Sequence, residues 1–266
     1  MRNKIVVILQ KLVNGSFVIE IQPPQILKAN TKFTAKIILL AGKLLEATTS
    51  KPVVKAAIIN ESQAKVIYQT NKLLDPPIGS ILNDIKVFEV NSNGNEVSAD
   101  FRQMKLGSFR RSERRSTESV ADEKCSILFR SSFKIRGIDF DVNETSLPVV
   151  LTVHGVQEAQ ACATIFWDNS FSVVDRIPFV VPQSVTWKEF SEFLNQKFVS
   201  TLNRGLSAED LHFLAEKLFN KSLPFPVPND LNVSWLSFCK DLLPERTFTF
   251  WEWTHAAMKL LKDHLL

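Results

Sequence analysis

Glycine is scarce in this chain, with 8 in 266 residues, less than half the usual ~7%. The glycines are isolated from one another, so the glycine-rich loops that cradle nucleotide phosphates and the G-x-S-x-G nucleophile elbow are both missing. Collagen-like and low-complexity classes fall for the same reason. Cysteine is also sparse. Cys125, Cys162 and Cys239 are odd in number and far apart, with no C-x-x-C or C-x-x-H spacing. That pattern offers no zinc site and fits reduced thiols in a cytosolic or nuclear protein. The four histidines, His154, His212, His255 and His264, stand at no ligand spacing from cysteine or carboxylates, and no H-E-x-x-H occurs. No metal, cofactor or catalytic centre is therefore expected. Long apolar runs are missing too. Ile5–Leu9 follows Arg2 and Lys4 but stops at Gln10-Lys11, short of the ~7–15 residues of a signal core. No stretch approaches the ~20 residues of a membrane span, so no membrane partner is expected. Without a signal, the N-x-S/T sequons at Asn14, Asn60, Asn143, Asn220 and Asn232 read as chance. Tyrosine is nearly absent: Tyr68 stands alone against 20 Phe and 5 Trp.

What is present is ordinary globular material, 45% apolar and 23% charged. At ~100–200 residues per domain the length suits one large or two modest domains with a sizeable core. The net charge of +4 is too small to declare a nucleic-acid binder by itself.

Along the chain the pattern changes near residue 182. Before it, β-branched and aromatic runs predict strands at Ser16–Ile21, Phe33–Leu40, Pro52–Ile59, Cys125–Arg136, Pro148–Val153 and Ala161–Trp167. Val87–Val90 and Val97–Phe101 flank Asn91-Ser92-Asn93-Gly94, a hairpin with Asn-Gly at its turn. Pro76-Pro77 and residues 104–122 read as long loops. Many short strands separated by turn residues indicate an all-β sandwich. After 182 the period becomes helical. Thr186-x-x-Glu189, Ser207-x-x-Asp210, Ser234 and Thr249-x-x-Glu252 mark helix starts. Stripes such as Trp187, Phe190, Leu194 and Phe198 follow them and supply a core.

The most distinctive segment is Arg102 to Arg115. Arg102, Lys105, Arg110, Arg111, Arg114 and Arg115 face one acid, Glu113. More than the whole chain's net charge lies in this stretch. Arginine forks suit phosphate oxygens and guanine edges. A solvated loop, a nuclear-import signal, or a kinase target at Ser112 or Ser116 would use the same residues.

Residues 16–33, SFVIEIQPPQILKANTKF, resemble the start of the DNA-binding domain of the STAT family, the signal transducers and activators of transcription. RRSERRSTESVADEKC, SLPVVLTVHGVQ and CATIFWDNSF continue the resemblance in order. DRIPFVVPQSVTW, NRGLSAEDLHFLAEKLFN, VSWLSFCKDLLPERTFTFWEW and MKLLKDHLL are similar to the family's linker domain. The resemblance runs from about residue 14 to the end. It implies a multi-domain chain, β then α: an immunoglobulin-like β-sandwich DNA-binding domain over 14–181, then an all-α linker domain over 182–266. Residues 1–13, with Ile5, Leu9 and Leu12 at helical spacing, correspond to the end of a preceding coiled-coil helix.

The resemblance also implies site residues. Lys28, just after QPPQ, and Lys32 match basic DNA contacts. Arg110 and Arg111 match a basic pair in a phosphate-facing loop. His154, in the VHG segment, matches the position that reaches base edges, where an imidazole offers both donor and acceptor. Asp122 and Glu123 fall near DNA in relatives without being expected contacts. Two departures, Gly107-Ser108 and Ile21 where basic residues are common, predict weaker phosphate binding.

The implied function is that of a sequence-specific transcription factor in cytokine (JAK-STAT) signalling, acting on RNA polymerase II transcription from cytoplasm and nucleus. Its partners would be a TTC/GAA palindrome, other STAT chains and import factors. A Src-homology-2 domain and a tail tyrosine follow the linker in the family. The chain stops at His264-Leu265-Leu266 and is expected to be a truncated form. Tyr68 does not replace that tyrosine. The competing expectation is an interaction module, or dominant-negative fragment, without DNA function. A secreted glycoprotein would need an upstream signal and occupied sequons, and an enzyme has no residues to carry it.

Overall fold

In the computed structural model, residues 2–42, 51–90, 96–111 and 120–265 are described. The chain forms two compact units: Met1–Gly155 with Ile177–Phe179, and Val156–Arg176 with Val180–Leu266.

The first unit is built on strands. Helix α1 (Arg2–Gly15) leads into β1 (Phe17–Ile21), β2 (Ile26–Lys28), β3 (Lys32–Leu39) and β4 (Val53–Asn60). Helix α2 (Glu61–Thr70) follows, then β5 (Gly79–Leu82), β6 (Ile85–Val87), β7 (Glu89–Val90) and β8 (Val97–Phe109). The unit continues with β9 (Lys124–Ile135), β10 (Ile138–Thr145) and β11 (Val149–Thr152). Their hydrogen bonds run β1-β3-β8-β5-β4-β9-β11-β2, with β10 on β9, β6 on β4 and β7 on β8. All pairings are antiparallel except β2 with β11. Alternation explains the layering. On β3, Phe33, Ala35, Ile37 and Leu39 point inward while Lys32 and Thr34 face out. With Phe17, Ile58, Phe101, Met104 and Phe129 they form one continuous core. Burying each such Phe contributes about 1.5–3 kcal/mol over leaving it exposed. The opposite faces of β4 and β9 are covered as well: Ile59 and Leu128 pack with Ala64, Ile67 and Phe179. Helix α2 supplies that cover. Asn60 and Gln63 exchange capping bonds at its start, and Asn71 at φ 57° ends it.

The second unit is helical: α3 (Glu158–Phe171), α4 (Trp187–Leu202), α5 (Ala208–Phe219), α6 (Trp235–Cys239) and α7 (Phe250–Leu265). The short strands β12 (Ser184–Thr186) and β13 (Asn232–Ser234) pair antiparallel. Each expected start is capped. Thr186 with Glu189, Ser207 with Asp210, and Thr249 with Glu252 form reciprocal boxes, and Ser234 caps α6 with Ser237. The backbone and hydroxyl of Thr186 hold the Glu189 carboxyl below its ordinary range. The core is a stack of rings: Phe166 meets Trp251 at 5.3 Å and Trp167 meets Phe238 at 5.4 Å. Asp168, 2% exposed, takes a forked bond from Arg176 at 2.5 and 3.1 Å. Arg176 also donates to the Val180 carbonyl, and Trp167 Nε1 donates to that of Pro182. These bonds fasten the segment leaving α3.

β then α is the observed order, but several sequence expectations need correction. Ala161–Trp167 is helix, inside α3, not strand. Its residues are buried on nearly every side, and such a continuous apolar run carries no period that separates helix from strand. The compact units divide at Gly155, and Ile177–Phe179 returns to the first. Residues 104–109 are strand, not loop: Met104 and Leu106 point inward from β8. The Val87–Val90 run divides into β6 and β7, with Phe88 buried between them. The Asn91–Gly94 turn lies outside the described residues, although β7 and β8 on either side do pair.

Candidate nucleic-acid interface

The parallel pair β2–β11 organises the candidate site. Ile26, Leu27 and Lys28 align with Val150, Leu151 and Thr152. The Val150 amide donates to the Gln25 carbonyl at 2.7 Å, and the Ala29 amide donates to that of Thr152 at 2.9 Å. The Gln25 side chain bonds the Pro148 carbonyl at 3.1 Å. Because both strands run the same way, their C-terminal ends emerge at one edge. Lys28 is exposed there, and His154, also exposed, follows its partner Thr152 by two residues.

A tight turn adds Lys32. The Thr31 amide and hydroxyl both donate to the Lys28 carbonyl, and Asn30 sits at φ 66°, a left-handed position asparagine tolerates. The chain reverses within this turn, so Lys32 opens β3 beside the end of β2. Lys32 lies opposite Lys105 on β8. Like charges facing each other across a ladder are unfavourable without an anion, and the Lys32 ammonium leans to Gln103 Oε1 at 3.2 Å. The next cation along β3 is different. Lys36 is held by Glu20 at 2.7 Å and Glu96 at 2.6 Å, which raises its pKa and lowers that of Glu96. Positive charge is thus neutralised midway along β3 and left standing at its start.

The two arginines at the end of β8 have separate environments. Arg110 is exposed, and its backbone amide donates to the Ile78 carbonyl at 2.7 Å. Gly79 makes that approach possible: a Cβ there would meet the Ser108 carbonyl oxygen at 2.7 Å and Phe109 Cα at 2.8 Å. Arg111 is only 19% exposed. Its Nη1 lies 3.5 Å from Glu123 Oε2, its Nη2 donates to the Leu151 carbonyl at 3.1 Å, and its guanidinium covers the Phe109 ring at 5.0 Å. It therefore ties the end of β8 to the strand that carries His154. Arg114 and Arg115, like Ser112, Glu113 and Ser116, lie outside the described residues.

Lys28, Lys32, Arg110, Arg111 and His154 all belong to β2, β3, β8 and β11, or to the residues just beyond them. Sequence reasoning did not single out Lys105 as a site residue, because only the β3–β8 register sets it opposite Lys32. It also treated Arg110 and Arg111 as equivalent, and nothing local to Arg-Arg distinguishes them. The Gly107 departure has a physical setting: a Cβ there would run into Ser80 Oγ, which would have to move aside. Ile21, the other departure, is 51% exposed. Cys125, Cys162 and Cys239 form no disulfide, and burial pushes the Cys125 thiol up to about 12, far from a reactive thiolate. Among the described residues no helix is long and apolar enough to cross a membrane.

Comparison with known proteins gives the chain's family. A family model described as STAT protein, DNA binding domain, matches residues 21–152. Another, Signal transducer and activator of transcription, linker domain, matches residues 174–254. The Signal transducer and transcription activator of Drosophila melanogaster is 39% identical over 263 residues, 97% of this chain and 34% of that protein. The chain thus spans about a third of the length of this relative. Two family models matched in the family's order, a β unit followed by a helical one, and an extended relative place the chain in the STAT family, which is one of transcription factors and not of enzymes.

Proposed function

We propose that the first unit binds double-stranded DNA through the edge formed by β2, β11 and the end of β8, as the DNA-reading part of a sequence-specific transcription factor. The observation that carries this reading is the parallel register of Lys28 with Thr152, which sets a cation and the exposed His154 at one edge. Lys28, Lys32 and Arg110 act on phosphates, where side-chain cations position a protein without reading sequence. His154 reads base edges, and Arg111, neutralised by Glu123, positions the loop that presents Arg110. Lys105 adds to the phosphate-facing charge. A TTC/GAA palindrome is the target, bound by two STAT chains in the family architecture. Cytokine (JAK-STAT) signalling, action on RNA polymerase II transcription, engagement of import factors and residence in both cytoplasm and nucleus belong to the same reading. Helix α1, whose Ile5, Leu9 and Leu12 are 52%, 37% and 66% exposed, is the end of a coiled-coil segment.

One sandwich acting alone binds in the electrostatic range, with Kd of roughly 10⁻⁴–10⁻⁶ M at physiological salt. Neutralising about four phosphates gives a slope of log K against log salt near −3.6, at ~0.9 per phosphate. Titrating a labelled palindrome at several salt concentrations checks both figures. A salt-insensitive nanomolar complex would overturn the proposal.

A further inference from the structure

The second unit carries a groove of its own. It lies where the end of α5, the loop after it, the loop before α7 and the first turn of α7 meet. Its volume is about 650 Å³, within the size range of sites that enclose a few side chains. Phe213, Phe248 and Trp253 line it with Leu243 and Pro244. Phe213 is 48% exposed, so its ring is available at the groove. The groove's other lining is strongly one-signed. Lys217, Lys221 and Arg246 stand at it, all exposed, against a single acid, Glu216. That acid is already committed: its Oε1 accepts from the Leu223 amide at 3.0 Å and the Ser222 hydroxyl at 3.2 Å, and these bonds hold its pKa low. Glu216 therefore shapes the loop more than it offsets the cations. Lys217 lies over the Phe213 ring at 5.3 Å, so a cation and an aromatic surface are presented together.

We propose that this groove docks an acidic peptide segment of a partner protein, one that carries an aromatic or large aliphatic side chain among its carboxylates. Charge complementarity selects the acids, and the ring-lined floor selects the anchor. The ring geometry favours a side chain over a nucleic-acid base. Phe213 and Trp253 are tilted by 56° at 6.0 Å between centroids, which makes a notch for a side chain rather than a flat slot for stacking. The inference does not depend on how the first unit binds DNA.

The test uses the full chain and a fluorescein-labelled peptide in which Asp and Glu alternate with Phe and Leu, followed by anisotropy. Binding should be saturable and should weaken about tenfold or more in Phe213→Ser and in Lys217→Glu/Arg246→Glu, the loss expected for an interface anchor. A peptide with Ala in place of Phe and Leu should bind at least as poorly. Urea midpoints followed by tryptophan emission check that the variants fold. Should Phe213→Ser fail to fold, Lys221→Glu/Arg246→Glu, two changes at exposed residues, decides. Equal binding by wild type and variants overturns the proposal. So does full retention by the Ala-substituted peptide, which would mean unspecific charge attraction. Tighter binding of an oligothymidylate strand at the same groove would also overturn it, in favour of a nucleic-acid site.

Discussion

Arg110 and Arg111 are neighbours with the same side chain, and their substitution should separate two different quantities. Arg111→Ala removes a guanidinium that is 19% exposed, leaves Glu123 at 15% exposure without this cation, and frees the Leu151 carbonyl. A charged hydrogen bond contributes about 1.5–3 kcal/mol, and breaking a buried ion pair costs about 3–5 kcal/mol. The 3.5 Å separation from Glu123 and the remaining exposure set the net loss near the low end, about 2–3 kcal/mol. With a urea slope of about 1–3 kcal/mol per molar, the midpoint of the first unit should fall by about 1 M. Its DNA salt slope should barely change, because Glu123 already offsets this charge. Arg110→Ala should do the reverse. Its retained amide keeps the bond to Ile78, so stability shifts by no more than about 0.5 kcal/mol, while the salt slope loses ~0.9. Glu123→Gln supplies a third arm: releasing Arg111 from its counter-charge should strengthen duplex binding and steepen the slope. All five tryptophans lie in the second unit. Unfolding of the first is therefore followed by strand-sensitive circular dichroism, and DNA binding by anisotropy. If Arg111→Ala lost phosphate binding with an unchanged midpoint, the assignment of its role would be wrong.

Other consequences are open to measurement. His154→Ala should relax sequence preference by about 1–3 kcal/mol at one base step while leaving the salt slope intact; equal losses on matched and scrambled duplexes would exclude base readout. Asp168→Asn or Arg176→Ala should each destabilise the helical unit by about 3–5 kcal/mol, since each breaks the forked ion pair between side chains that are 2% and 14% exposed. Tryptophan emission under urea reads that change directly. His255 has a buried Nε2 that makes no hydrogen bond, and desolvation lowers its pKa below the ordinary 6.5. Below 6.5 the unfolded chain therefore takes up a proton that the folded chain resists. Stability contributed by the neutral ring is present above that pH and declines as pH falls toward the folded value. His255→Asn should flatten this part of the urea-midpoint profile as pH falls below 6.5.

Much of this architecture was legible in the residues because local chemistry settled it. The helix starts at Thr186, Ser207, Ser234 and Thr249 announce themselves through side chains that can reach a backbone amide three residues on. Strand β3 alternates clearly. Two of the failures share a cause: α3 is buried on nearly every side, and β2 has three residues, so neither displays a period. Helix α2 was missed because Asn60 closes a strand and caps a helix at once. At the candidate site, residue types and motif order pointed to Lys28, Lys32, Arg110, Arg111 and His154. The counter-charge on Arg111 and the confrontation of Lys32 with Lys105 arise from pairings between distant strands, which no local pattern encodes.

The parallel strands β2 and β11 also bear on when the molecule becomes competent. Gln25 and Pro148, which bond at their start, are 123 residues apart in the chain. Closing so long a loop gains little until the intervening strands have already formed a sheet to dock against. Only three residue pairs then hold the seam. This edge should be among the last parts of the first unit to assemble and among the first to open, so amide exchange there should run ahead of global unfolding. Duplex bound at the seam would lock it shut. Recognition and the final step of folding would then draw on the same few bonds.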